Sequence, residues 1–125
     1  MDIEKQIQYW HQSSDEDWDV ASNLIDNYKI RHGLFFIHLS LEKLLKALIC
    51  KKTNDIPPRI HNLVRLCEIA DINPNDSQLD ILAEMNAFNI EGRYPDSRIQ
   101  SPDIQTAKSY LNKAKEVRLW IIQQL

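Results

Sequence analysis

The stretch Leu34-Phe35-Phe36-Ile37-His38-Leu39-Ser40-Leu41-Glu42-Lys43-Leu44-Leu45-Lys46-Ala47-Leu48-Ile49 decides the fold. It contains no glycine or proline and is rich in leucine, a strong helix former. Its apolar residues wrap nearly the whole circumference of a helix, as in a rod at the centre of a bundle. His38, Glu42 and Lys46 interrupt them at intervals of four and so form one narrow stripe, with Lys43 beside it. Taking such a stripe out of water is costly without polar partners. Two readings stay open. It is a solvated strip in which Glu42 pairs with Lys46, or it is the wall of a cleft that binds phosphate or another anion. In the cleft, Lys43 and Lys46 supply charge and His38 a donor.

Working outward, this helix starts near Arg31–Gly33 and ends near Lys52, before Asn54-Asp55-Ile56-Pro57-Pro58. Upstream, Ile3, Ile7, Trp10, Trp18, Ala21, Leu24, Ile25 and Tyr28 recur at helical spacing, which predicts one helix over about Ile3 to Tyr28. The polar run Gln12–Asp17 weakens its middle. Downstream, a short helix spans about Arg59 to Ala70. A fourth, capped by Asp76 or Ser77, carries Leu79, Leu82, Ala83, Met85 and Ala87 to about Asn89. An irregular stretch follows from Ile90 to Pro102, and the last helix runs from near Pro102 to Leu125. The expectation is a single all-α domain over residues 1–125. It is an antiparallel up-and-down bundle of about five helices, four long or medium and one short, without strands.

Composition excludes several functions. The chain has 125 residues and only two glycines, Gly33 and Gly92, too few for a dinucleotide fingerprint or a Walker-type loop. A formal net charge of −3 gives no bulk attraction to DNA or to an anionic membrane. No apolar run exceeds four residues, the length of Leu34–Ile37, far short of the roughly 20 residues that span a bilayer. The first residues lack a secretory apolar region, and Cys50 and Cys67 read as reduced core thiols, so a cytoplasmic location is expected. Asp15, Glu16, Asp17 and Asp19 read as a solvated patch, with a divalent-cation site as the lesser alternative, and no motif has the spacing of a metal or cofactor site.

Beyond the stripe, Arg93-Tyr94-Pro95-Asp96 joins a guanidinium, a phenol, a rigid turn residue and a carboxylate. Asp96 can pair with Arg93 or Arg98 in a turn, or Arg93 can project to a ligand or a second protomer. His61-Asn62 reads as a structural cap of the third helix. Trp10, Trp18 and Trp120 with Phe35 and Phe36 could anchor an interface.

Taken in order, Glu16–Ala21, His38–Leu48, Pro57–Leu66 and Arg93–Asp96 resemble the HEPN domain family of small prokaryotic helical-bundle proteins. The resemblance covers essentially the whole chain. It implies a five-helix bundle, usually a homodimer with a groove between protomers. Many members pair with a minimal nucleotidyltransferase as a toxin–antitoxin module, and nucleotide binding has been proposed for the family. The stripe and the loop make His38, Glu42, Lys43, Lys46, Arg93, Tyr94 and Asp96 the candidate ligand or nucleotide-binding residues. Several branches are metal-independent endoribonucleases in which roughly four to six residues separate an arginine from the histidine that follows it. Here Arg93 stands near the expected place, but Tyr94 through Pro102 holds no histidine. Arg31 and His38 have the spacing, yet they span the start of the second helix instead. Arg31, His38 and Arg93 are therefore the weak catalytic candidates. A non-catalytic partner-binding or nucleotide-binding module is expected ahead of an RNA-cleaving toxin or a purely structural module.

Overall fold

A computed structural model describes residues 2–93 and 100–125, with the side chains of residues 90–93 outside that description. Five helices follow one another: α1 (Ile3–Asp26), α2 (Ile30–Thr53), α3 (Leu63–Ile69), α4 (Asp76–Arg93) and α5 (Ile104–Ile122). No strand occurs among the described residues. The all-α bundle expected from the apolar patterning is the observed architecture.

The hub is α2, which packs against all four other helices and most extensively against α1. Leu34, Ile37, Leu41, Leu44, Leu45 and Leu48 are fully buried along it, the arrangement its all-round apolar sequence predicts. Gly33 permits the close α1–α2 approach: a Cβ there would lie 2.5 Å from Ile25 Cγ1 and 3.3 Å from the Ala21 carbonyl oxygen. With so few glycines, tight turns fall to other residues. Tyr28, Asn54 and Asp71 adopt φ of 60°, 55° and 55°, and Asn54 is the left-handed cap that ends α2.

The polar middle of α1 does not break the helix, because its side chains reach across the bundle. Ser14 hydrogen-bonds with Ser40, the Lys43 ammonium reaches both Ser13 and Asp17 at 2.8 Å, and Arg118 of α5 donates to Asp15. The acidic patch is thus partly ion-paired rather than simply solvated.

Capping side chains move the remaining boundaries. The third helix begins at Leu63, not Arg59, since Asn62 Oδ1 accepts from the Arg65 amide at 3.1 Å. Asn75, rather than Asp76 or Ser77, caps α4 by exchanging hydrogen bonds with Gln78, each 2.8 Å long. The helix continues to Arg93 and buries Ile81, Leu82, Met85 and Phe88, leaving Ala83 exposed. Asp103 caps α5 through the Thr106 amide, which places the start at Ile104. Among the described residues no helix is long and apolar enough to cross a membrane.

Candidate functional site

The stripe on α2 is buried, not solvated, and it is not the open wall of a cleft. His38 is fully buried, and Glu42 and Lys46 are each 5% exposed. A buried carboxylate requires cations and donors around it. Lys46 Nζ donates to Glu42 Oε2 at 2.9 Å, and His61 Nδ1 lies 3.0 Å from the same oxygen. His38 Nδ1 is 3.6 Å from the other oxygen. Burial by itself raises the Glu42 pKa. The hydrogen bonds from Lys46 and His61, with the charges of Lys46 and His38, outweigh it and hold the group below its ordinary 4.5. Lys46 also stands 5.6 Å from the centre of the Trp10 ring, an apolar cover with an electron-rich face.

His38 Nε2 lies 2.9 Å from the His61 carbonyl oxygen, so it donates. That bond ties α2 to the segment before α3 and places His61 over Glu42. Because Glu42 is ionised, His61 Nδ1–H donates to it, and Nε2 becomes the outward edge of a half-exposed ring. Beside it is a surface hollow of about 150 Å³ lined by His61, Asn62, Asn86 and Asn89. The chemistry of the buried stripe therefore surfaces at His61, a residue whose sequence context reads only as a helix cap. The signal available in the sequence was the stripe itself: a carboxylate on a greasy helix has to find a partner elsewhere in the chain.

Lys43 faces α1 and is spent on Ser13 and Asp17. Arg31 lines a broad, open hollow of about 510 Å³ at the start of α2, with Tyr28, Lys29, Ile30, His32 and Ser101. That hollow is larger, but none of the stripe residues lines it. Seven residues of helix place Arg31 and His38 about 10 Å apart along the axis. With His38 buried against a carbonyl, the two do not form a nuclease pair. Arg93 ends α4, one turn beyond Asn89, and its side chain is outside the described residues, as are Tyr94 and Asp96 entirely. Among the described residues no group of three or more His, Cys, Asp or Glu side chains gathers as a metal site.

This fold and chain order can be set against known proteins. A family model for the HEPN domain matches residues 7–125. The chain belongs to the HEPN family. Among curated proteins, none matches this HEPN chain. Two solved structures share its fold. The crystal structure of TT1696 from Thermus thermophilus superimposes with a TM-score of 0.81 at 16% identity, covering 96% of this chain and 98% of that one. ST0689, an archaeal HEPN homologue, gives 0.75 at 19% identity, over 94% and 96% of the two chains. At these identities the likeness concerns the HEPN bundle alone.

Proposed function

We propose that this HEPN chain is a homodimeric binding module of a prokaryotic toxin–antitoxin-type pair, taking a nucleotide, a minimal nucleotidyltransferase partner, or both. One observation carries the reading: His38, Glu42 and Lys46 spend their hydrogen bonds inside the bundle, and a single imidazole emerges among asparagine amides. Acid–base catalysis needs groups that reach the reacting atoms. A buried polar network feeding one exposed ring suits recognition and orientation of a ligand better.

Light scattering on the pure protein is expected to give a dimer. Nucleotides at millimolar concentration are expected to raise the melting temperature, and the nucleotidyltransferase encoded beside the gene, where there is one, to co-purify. A monomer at micromolar concentration with no thermal shift and no co-purification rejects the reading.

A second reading, a metal-independent endoribonuclease, is favoured by the Glu42–His61 pair, since a ring oriented by a carboxylate is suited to accept a proton from a 2′-hydroxyl. His61 then takes the role that Arg31 with His38 cannot fill, and Arg93 stabilises the phosphate. RNA incubated in EDTA with wild type, His61→Ala and Arg93→Ala separates the two. Cleavage lost in both variants supports the nuclease; no cleavage above a blank eliminates it.

A further inference from the structure

We propose that residues 54–62, between α2 and α3, are a latched strap whose release exposes the buried His38–Glu42–Lys46 stripe while the bundle stays folded. The inference goes beyond the binding reading and holds or fails without any ligand.

Little holds this segment down. Residues 54–62 form neither helix nor strand. Among the described residues, positions 55–60 hydrogen-bond to no other element: the Ile56 amide turns back on Asp55 Oδ1 at 2.7 Å, and Pro57 and Pro58 have no amide hydrogen to give. Ile56 is 59% exposed, and Pro57, Pro58 and Ile60 are half-buried, so the segment shields little apolar surface. Its two ends are fixed, with Asn54 as the left-handed cap of α2 and Asn62 as the cap of α3. Between them, polar attachment to α2 is concentrated at His61. Its carbonyl oxygen accepts from His38 Nε2 at 2.9 Å, and its Nδ1–H donates to Glu42 Oε2 at 3.0 Å. His38 and Glu42 lie one turn apart on the same side of α2, so a single residue closes over both.

What lies beneath the latch works against it. Glu42 and Lys46 are each 5% exposed, and Glu42 Oε1 is buried without a hydrogen bond. Removing a carboxylate and an ammonium from water has a desolvation cost that their mutual attraction returns only in part. Rehydration of these groups therefore favours an open strap, while the two His61 bonds and the packing of Ile60 on the core favour the closed one. Opening leaves the bundle standing, because α2 keeps its contacts with α1, α4 and α5. Such a segment opens locally, at less cost than global unfolding. Closed, the stripe is a packed internal network; open, it is a water-facing wall with a carboxylate, an ammonium and an imidazole.

Hydrogen exchange of His38 Nε2–H tests the latch, followed by NMR in deuterated water on wild type, His61→Ala and His61→Asn. The amides of the fully buried Leu44 and Leu45 report opening of the whole bundle. His61→Ala removes the ring bond to Glu42 but keeps the backbone carbonyl that His38 holds, whereas asparagine places an N–H donor close to where imidazole Nδ1–H stood. In wild type, His38 Nε2–H is expected to be protected about tenfold less, or weaker still, than the two leucine amides. Its exchange should be nearly insensitive to low urea, since little surface is exposed. His61→Ala is expected to speed that exchange by about tenfold or more, the scale of one hydrogen bond to a charged group, and His61→Asn to stay near wild type. If His38 Nε2–H shares the protection and urea dependence of the leucine amides, the stripe opens only when the bundle unfolds, and the strap is rejected. If His61→Ala leaves the exchange unchanged, the two His61 bonds do not act as one latch, and the proposal is overturned.

Discussion

Ser14 and Ser40 exchange hydrogen bonds across the α1–α2 contact. Ser14 Oγ donates to the Ser40 carbonyl at 2.6 Å, and Ser40 Oγ donates to the Ser14 carbonyl at 3.0 Å. Both residues are fully buried, and Arg118 Nη2 reaches Ser14 Oγ at 3.3 Å from α5. This clasp, with Gly33 farther toward the α1–α2 turn, keeps the two longest helices close enough for α2 to be shielded along its length.

Each hydroxyl donates to a backbone carbonyl that alanine retains, so the coupling between the two serines runs through their Oγ–Oγ contact of 3.1 Å. Ser14→Ala and Ser40→Ala are each expected to lower stability by about 1–2 kcal/mol, and the double variant by less than their sum. Urea unfolding of all four proteins measures the coupling. Strict additivity would show that the two hydroxyls act independently.

Glu42 governs the acid side of the stability curve. Its pKa is lowered in the folded chain, so it binds a proton less readily there than when unfolded. The sign follows: its contribution is full above the ordinary value of 4.5 and is lost as pH falls below that through the depressed folded value. Glu42→Gln leaves Lys46 buried without its carboxylate and is expected to cost about 3–5 kcal/mol near neutrality, with a smaller deficit in acid. Equal deficits at pH 7 and pH 3.5 would mean that the carboxylate is not ion-paired in solution.

Gly33→Ala sets two effects against each other. Helix propensity favours alanine by about 1 kcal/mol, whereas overpacking costs about 1–3 kcal/mol. The contact is with Ile25 Cγ1, close to the backbone of a fully buried residue, and with the Ala21 carbonyl, so neither yields easily. Net destabilisation is expected in thermal unfolding; a stabilised variant would show that α1 and α2 are more loosely packed.

Cys67 is expected to be inert in the native protein. Burial, reinforced by the Glu68 carboxylate, pushes its thiol up to about 12, and Cys50 is also buried. At pH 8 a thiol reagent such as iodoacetamide should leave both cysteines intact until denaturant is added, then modify both. Rapid native labelling of Cys67 would show that α3 opens locally.

Periodicity determined the rods in this protein. The all-round apolar surface of Leu34–Ile49 made α2 a central helix, and the prolines and polar clusters marked every break between elements. Helix ends were less legible. Arg59 gave way to Leu63, and Asp76 and Ser77 gave way to Asn75 as the cap, because several polar residues compete at each end and only backbone geometry chooses among them. The stripe His38–Glu42–Lys46 was visible as a stripe, but whether water or protein faced it depended on what packed there. Residues nineteen positions apart, Glu42 and His61, were joined by folding, as were Asn62 and Asn86. Local sequence sets which side of a helix is oily; only tertiary packing decides which partner meets a buried charge, since desolvation and Coulombic compensation depend on distances between segments.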